Sequence, residues 1–134
     1  MYISEVRIRT RYAETDQMGY IYYGHYAQYF EVARVEALRN LGMSYKELEL
    51  RGIMLPVISY SINFLKPALY DENLNIVTKI SEMPGVRIKF DYETYNEKGE
   101  LLNTASTTLV FVNKEKNKPC QPPKEFMELF KGYF

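Results

Sequence analysis

Polar and apolar positions alternate along five stretches of this chain, and two further stretches repeat at helical spacing. Val6, Ile8, Thr10 and Tyr12 alternate with Glu5, Arg7, Arg9 and Arg11, which predicts a strand with one buried face. From near His25 the period changes. Tyr26, Tyr29, Phe30, Ala33, Ala37, Leu38 and Leu41 recur at three- and four-residue intervals, the stripe of a long amphipathic helix. Val32 and Val35 widen that stripe, so the helix is expected to be well buried, and Gly42 is a natural stop. Ser44-Tyr45-Lys46-Glu47 has the form of a capping box, opening a short helix to about Arg51.

After Gly52 the period returns to two. Ile58, Tyr60, Ile62 and Phe64 alternate with Ser59, Ser61 and Asn63, and Pro67 closes the strand. Leu74, Ile76, Thr78 and Ile80 mark the next, which ends near Pro84-Gly85. Val86, Ile88, Phe90, Tyr92 and Thr94 form a third, and Asn96-Glu97-Lys98-Gly99 is a hairpin turn into a last strand, Leu101 to Val112. Asn113 to Lys118 reads as a polar loop, and Phe126, Met127, Leu129 and Phe130 as a short C-terminal helix. Short connections imply antiparallel neighbours. The expectation is an α+β domain, residues 1–134, with an antiparallel sheet covered on one face by the long helix.

Composition removes whole classes of function. The 134 residues carry 17 basic and 17 acidic side chains, a net charge of zero that disfavours a nucleic-acid partner. One cysteine allows no intrachain disulfide, which fits a reducing cytoplasm, and no apolar run approaches membrane-spanning length. One histidine and one cysteine do not make a zinc site. No phosphate-binding loop, dinucleotide fingerprint or nucleophile elbow occurs. Cys120 sits in a proline-rich stretch with no histidine near it in sequence, and reads as a packing or surface thiol. Arg7, Arg9 and Arg11 read as one solvated strand face, and Lys114, Lys116 and Lys118 as a solvated loop. There are 13 tyrosines, most of them suited to strand faces and interfaces.

What remains is carboxylate chemistry. The stretch from Arg11 to Tyr26 joins the first strand to the long helix and holds Asp16, Gly19, Gly24, a run of tyrosines and the chain's only histidine. An acid in a tight turn before a helix lies near backbone N–H groups that have no helical acceptor. Those groups can hold an oxyanion while the acid attacks or activates water. Taken alone, Asp16 would most often be a turn residue or helix cap, and His25 more often a cap or packed polar group than a catalytic base.

Asp16-Gln17-Met18-Gly19-Tyr20-Ile21-Tyr22-Tyr23-Gly24-His25-Tyr26, followed by Tyr29-Phe30-Glu31-Val32-Ala33-Arg34, resembles the signature of hotdog-fold acyl-CoA thioesterases of the 4-hydroxybenzoyl-CoA thioesterase type. The element order resembles a hotdog fold along almost the whole chain. The resemblance implies that Asp16 is the catalytic carboxylate, as nucleophile or general base, and that the Tyr23 amide holds the thioester oxygen. It implies that Gly19 allows the turn and that Glu31 is an acid able to face the acyl pocket. His25 stands where the family often has Asn, and its contact is left open. Arg87 and Lys89 are weaker candidates for CoA phosphates, since alternation alone explains them.

The resemblance further implies a homodimer or a dimer of dimers with the site across the interface, an acyl-CoA substrate, and no cofactor beyond the CoA within that substrate. An acyl-carrier-protein thioesterase, a hotdog dehydratase or hydratase, and a non-catalytic acyl-CoA binder stay open as alternatives.

Overall fold

The computed structural model describes all 134 residues. A five-stranded antiparallel sheet is built from β1 (Tyr2–Arg9), β3 (Val57–Phe64), β4 (Asn73–Ile80), β5 (Arg87–Tyr95) and β6 (Leu101–Val110). Their order across the sheet is β1-β4-β5-β6-β3. A 16-residue helix, α1 (Tyr26–Leu41), packs on one face, mainly over β1 and β4. This is the hotdog arrangement, an α+β sheet wrapped about a long helix. A small three-stranded sheet, β2 (Ile53–Met54), β7 (Val112–Asn113) and β8 (Lys118–Pro119), lies beside it, with α2 (Tyr45–Leu50) and α3 (Lys124–Glu128).

The predicted faces are the observed ones in the middle of the sheet. Leu74, Ile76, Thr78 and Ile80 of β4 are buried, as are Ile88, Phe90, Tyr92 and Thr94 of β5. Phe30 of α1 stacks on Tyr92 with ring centroids 4.5 Å apart, and Tyr2 donates its hydroxyl to the Ala37 carbonyl at 2.7 Å. Helix and sheet thus share one core, with Phe30, Ala37, Leu38, Leu74, Ile76 and Phe90 fully enclosed. α1 ends as expected: the amides of Gly42 and Met43 both return to the Leu38 carbonyl, with Gly42 at φ +130°. The β5–β6 turn is also as expected, Asn96 Oδ1 accepting the amides of Lys98 and Glu100.

Several expectations need correction. Tyr12 leaves the strand: β1 stops at Arg9, and Tyr12 lies in a 3-10 turn, 77% exposed. Val32 is exposed and Val35 only half-buried; Arg34, not a valine, takes the buried position on that flank of α1. Only half of the capping box forms, Ser44 Oγ accepting the Glu47 amide. The last strand breaks at Phe111, whose side chain turns into the core while β7 crosses to the small sheet. The 113–118 segment is therefore not simply a loop, because Lys118 and Pro119 pair back onto Asn113 and Val112.

β3 differs most. Its short link to β4 does not make them neighbours: β3 crosses to the far edge and pairs with β6 alone. From Tyr60 onward its apolar face points where the alternation predicts, Tyr60 meeting Phe30 and Phe64 meeting Tyr26, but a bulge at Ile58 breaks the period before that. Yet Ile58, Tyr60 and Phe64 stay half-exposed, because α1 lies mainly over β1 and β4 and reaches β3 only through Tyr26 and Phe30.

Candidate active site

Local sequence builds the turn around Asp16. Asp16 Oδ1 accepts the amides of Met18 (2.9 Å) and Tyr20 (3.1 Å), while the Asp16 carbonyl accepts the Gly19 amide at 3.1 Å. Gly19 closes the turn at φ +80°, a conformation strained for any residue with a Cβ. The Asp16 amide returns to the Tyr20 carbonyl at 2.8 Å. No group in the chain donates to the other carboxylate oxygen, Oδ2, and the side chain is exposed. One oxygen is thus fixed by backbone and the other left open for chemistry.

The turn is anchored on two sides. Ile21 donates its amide to the Ala68 carbonyl at 2.9 Å, and Tyr20 bridges to Leu69. The end of β1 ties the same loop down: the Thr10 hydroxyl donates to the Leu69 carbonyl and accepts the Glu72 amide. On the other side the Tyr22 amide donates to the Glu14 carbonyl at 2.9 Å.

A 3-10 turn, Tyr23 to His25, leads directly into α1. The Tyr23 and Gly24 amides have no acceptor within the chain. They are the unpaired donors expected at a helix start, on the same short stretch as Asp16. Gly24 has ordinary dihedral angles, and a Cβ there would lie 2.6 Å from Cε2 of the exposed Tyr22 ring, which would have to swing aside. His25 is half-exposed, with Nδ1 3.3 Å from Gln28 Oε1 and its ring edge-on to Tyr22.

Glu14 is the residue that sequence reasoning passed over. It is only 4% exposed. Its Oε1 accepts the Tyr29 hydroxyl at 2.6 Å and the Arg11 amide at 2.8 Å, and its Oε2 faces the Arg11 guanidinium at 3.2 Å. Burial works against its charge, but the bonds from Tyr29 and Arg11 outweigh it and hold the carboxyl below its usual range. Burial, reinforced by the charge of Glu14, drives the Tyr29 phenol well above its ordinary value. A Glu beside an exposed arginine gave no signal of burial; the signal was Tyr29, a polar-tipped ring on the apolar stripe.

Glu31 lies on the exposed side of α1, about 9 Å beyond His25 along the axis at 1.5 Å per residue. With Gln28, Arg34, Tyr60 and Thr107 it lines a cleft of about 260 Å³ between α1 and β3. Arg34 is only 7% exposed. Its Nε donates to the Tyr45 hydroxyl at 3.0 Å, and no carboxylate lies within ion-pair distance. Arg87 and Lys89 fall elsewhere. They alternate with Ile88 and Phe90, so they stand on the sheet face away from α1, and Lys89 approaches Asp91 at 3.9 Å.

A hotdog sheet about one long helix, with a turn-held carboxylate ahead of that helix, is the frame this chain shares with its relatives, and with them it belongs to the thioester hydrolases. The model of the Thioesterase-like superfamily matches residues 10–130, and the chain belongs to that family. It is similar to the putative acyl-CoA thioesterase YneP of Bacillus subtilis, 36% identical over 99% of this chain and 96% of that protein. It is 32% identical to the acyl-CoA thioester hydrolase YbgC of Escherichia coli, over 92% of each. Among solved structures, a DHNA-CoA thioesterase from Staphylococcus aureus superposes with a TM-score of 0.91 at 39% identity, covering 99% of this chain and 89% of that one.

Proposed function

We propose that this protein is an acyl-CoA thioesterase that hydrolyses its substrate to a carboxylic acid and free CoA through the Asp16 carboxylate. One observation carries the reading: Asp16 has one oxygen held by two amides and one oxygen free, a few residues before the unpaired amides of Tyr23 and Gly24. A thioester needs little more. Its carbonyl is electrophilic and its thiolate leaves readily, so a carboxylate serves without a serine–histidine pair.

In one route Oδ2 attacks the carbonyl carbon, the tetrahedral intermediate collapses with cleavage of the C–S bond to release CoA as thiolate, and water then opens the mixed anhydride left on Asp16. In the other, the carboxylate takes a proton from water as the water oxygen attacks. Both develop an oxyanion that the Tyr23 amide, and Gly24 beside it, would receive; one such donor is worth about 3 kcal/mol in other enzymes. Single turnover in ¹⁸O-water separates the two, because only the anhydride route can leave label in Asp16.

The cleft along α1 is where the acyl group would lie, with Glu31 and Arg34 at its wall and His25 and Gln28 near its mouth. Arg87 and Lys89 would meet CoA phosphates where that end of the substrate passes over the outer sheet face. The reading includes a homodimer, or a dimer of dimers, because β3 is a long edge strand whose apolar side chains are uncovered in one chain. No helix is long and apolar enough to cross a membrane. A reducing cytoplasm suits the single free thiol of Cys120.

The test is thiol release from short, medium, long-chain and aromatic acyl-CoAs, with DHNA-CoA among them, by wild type and Asp16→Asn. Release by wild type that drops by orders of magnitude in the variant supports the reading. Equal release by both proteins, or none from any substrate, overturns it.

A further inference from the structure

We propose that Glu14 is a positioning residue of this site, setting the separation between the Asp16 carboxylate and the free amides at the start of α1; the proposal rests on the Asp16 reading above. The two halves of the site belong to different local structures. Asp16 rides on a turn held by the 66–72 loop, whereas the Tyr23 and Gly24 amides belong to the helix start. Between them run Tyr20 and Ile21, tied back to Leu69, Ala68 and Thr15, and then Tyr22, whose amide bonds to Glu14.

Glu14 spans that gap through both of its ends. Its carbonyl accepts the Tyr22 amide at 2.9 Å, immediately before the first free amide. Its carboxylate, two residues upstream of Asp16, accepts the Tyr29 hydroxyl at 2.6 Å from the second turn of α1. Arg11 closes the remaining acceptor positions with its amide and guanidinium, so the buried charge is satisfied on both oxygens. Packing alone does not require this. A buried carboxylate gives α1 no apolar area, and an apolar residue of similar size would fill the space without a charge to satisfy. What the carboxylate adds is direction, since its short bond to Tyr29 sets the position of the turn against the helix.

A shift of the turn by about 1 Å leaves the binding surfaces for acyl group and CoA in place. It misaligns the attacking oxygen with the oxyanion donors, and such misplacement of about 1 Å lowers rates by roughly 100-fold. Loss of the link should therefore appear in kcat and not in KM.

The experiment is steady-state thiol release by wild type, Asp16→Asn, Glu14→Gln, Tyr29→Phe and the Glu14→Gln/Tyr29→Phe double variant. Folded fraction is read by near-UV circular dichroism, and ¹H–¹⁵N shifts are recorded for Tyr29→Phe. Tyr29→Phe removes one hydroxyl and leaves Arg11 on the carboxylate, so it decides the matter even if Glu14→Gln does not fold. The expected result is a kcat lowered roughly 10- to 100-fold at a KM within about threefold, in fully folded protein. The Tyr23 and Gly24 amide shifts should move while those of β4 to β6 stay, and the double variant should be no slower than Glu14→Gln. Wild-type kcat in Tyr29→Phe, beside an inactive Asp16→Asn, overturns the role of Glu14 and leaves that of Asp16 standing. A kcat loss that merely tracks folded fraction overturns it too. Full activity in Asp16→Asn removes both.

Discussion

Asp16 and Tyr20 hold each other reciprocally. The Asp16 amide donates to the Tyr20 carbonyl at 2.8 Å, and the Tyr20 amide donates to Asp16 Oδ1 at 3.1 Å. The aspartate is therefore both the keystone of its turn and, through Oδ2, the group the turn presents. An asparagine keeps an acceptor at the Oδ1 position, so Asp16→Asn is expected to fold with little change in Tm while thiol release falls by about 10²- to 10⁴-fold. Asp16→Ala loses both side-chain bonds and is expected to be about 1–2 kcal/mol less stable by urea denaturation. A stable, active Asp16→Asn would contradict this account.

The two glycines of the motif separate stability from substrate binding. A Cβ on Gly19 meets nothing within 4 Å, so Gly19→Ala is penalised only by its φ of +80°, at roughly 1–2 kcal/mol. Its stability loss should come with lost activity, since the Asp16 turn must re-form in another shape. Gly24→Ala has ordinary dihedrals but displaces the exposed Tyr22 ring. It should leave Tm almost unchanged and alter KM. Thermal melts and kinetics on the two variants check the contrast.

Stability should depend on pH through the buried Glu14–Tyr29 pair. The folded-state pKa of Glu14 lies below its ordinary value of 4.5, so it contributes stability above that value, lost as pH falls through the lower folded value. The phenol of Tyr29 is shifted the opposite way, above its ordinary 10, so its contribution is complete below 10 and declines as pH rises further. Urea titrations of wild type and Glu14→Gln should show a stability gap that is widest near neutrality and narrows in acid. A gap that widens below pH 4.5 would refute the assignment.

The β3 edge should carry subunit association. Ile58 sits at the bulge of β3, largely exposed, and β3 bonds only to β6. Ile58→Lys places a charge where a second copy would pair or pack, and is expected to shift the protein toward monomer in sedimentation velocity, with activity falling in parallel. A monomeric wild type with full activity would show that one chain suffices.

Alternation and helical spacing determined most of the framework. The faces of β4 and β5, the extent of α1, its Gly42 stop and the Asn96–Gly99 turn depend on neighbours a few residues apart, and a period of two or 3.6 records them directly. The turn of Asp16 was legible for the same reason, since its bonds close within five residues. Three features were decided only by tertiary structure. β3 became a half-covered edge because it closes the sheet beyond β6 and α1 reaches it only through Tyr26 and Phe30, which no pattern within β3 can register. Arg34 became buried because its long side chain reaches Tyr45 across the helix flank. Glu14 became the link in the site because Tyr29, fifteen residues away, arrives over it with a hydroxyl once α1 is docked. In each case the sequence supplies a group able to bond or pack, and the distant partner that uses it exists only after the chain has folded.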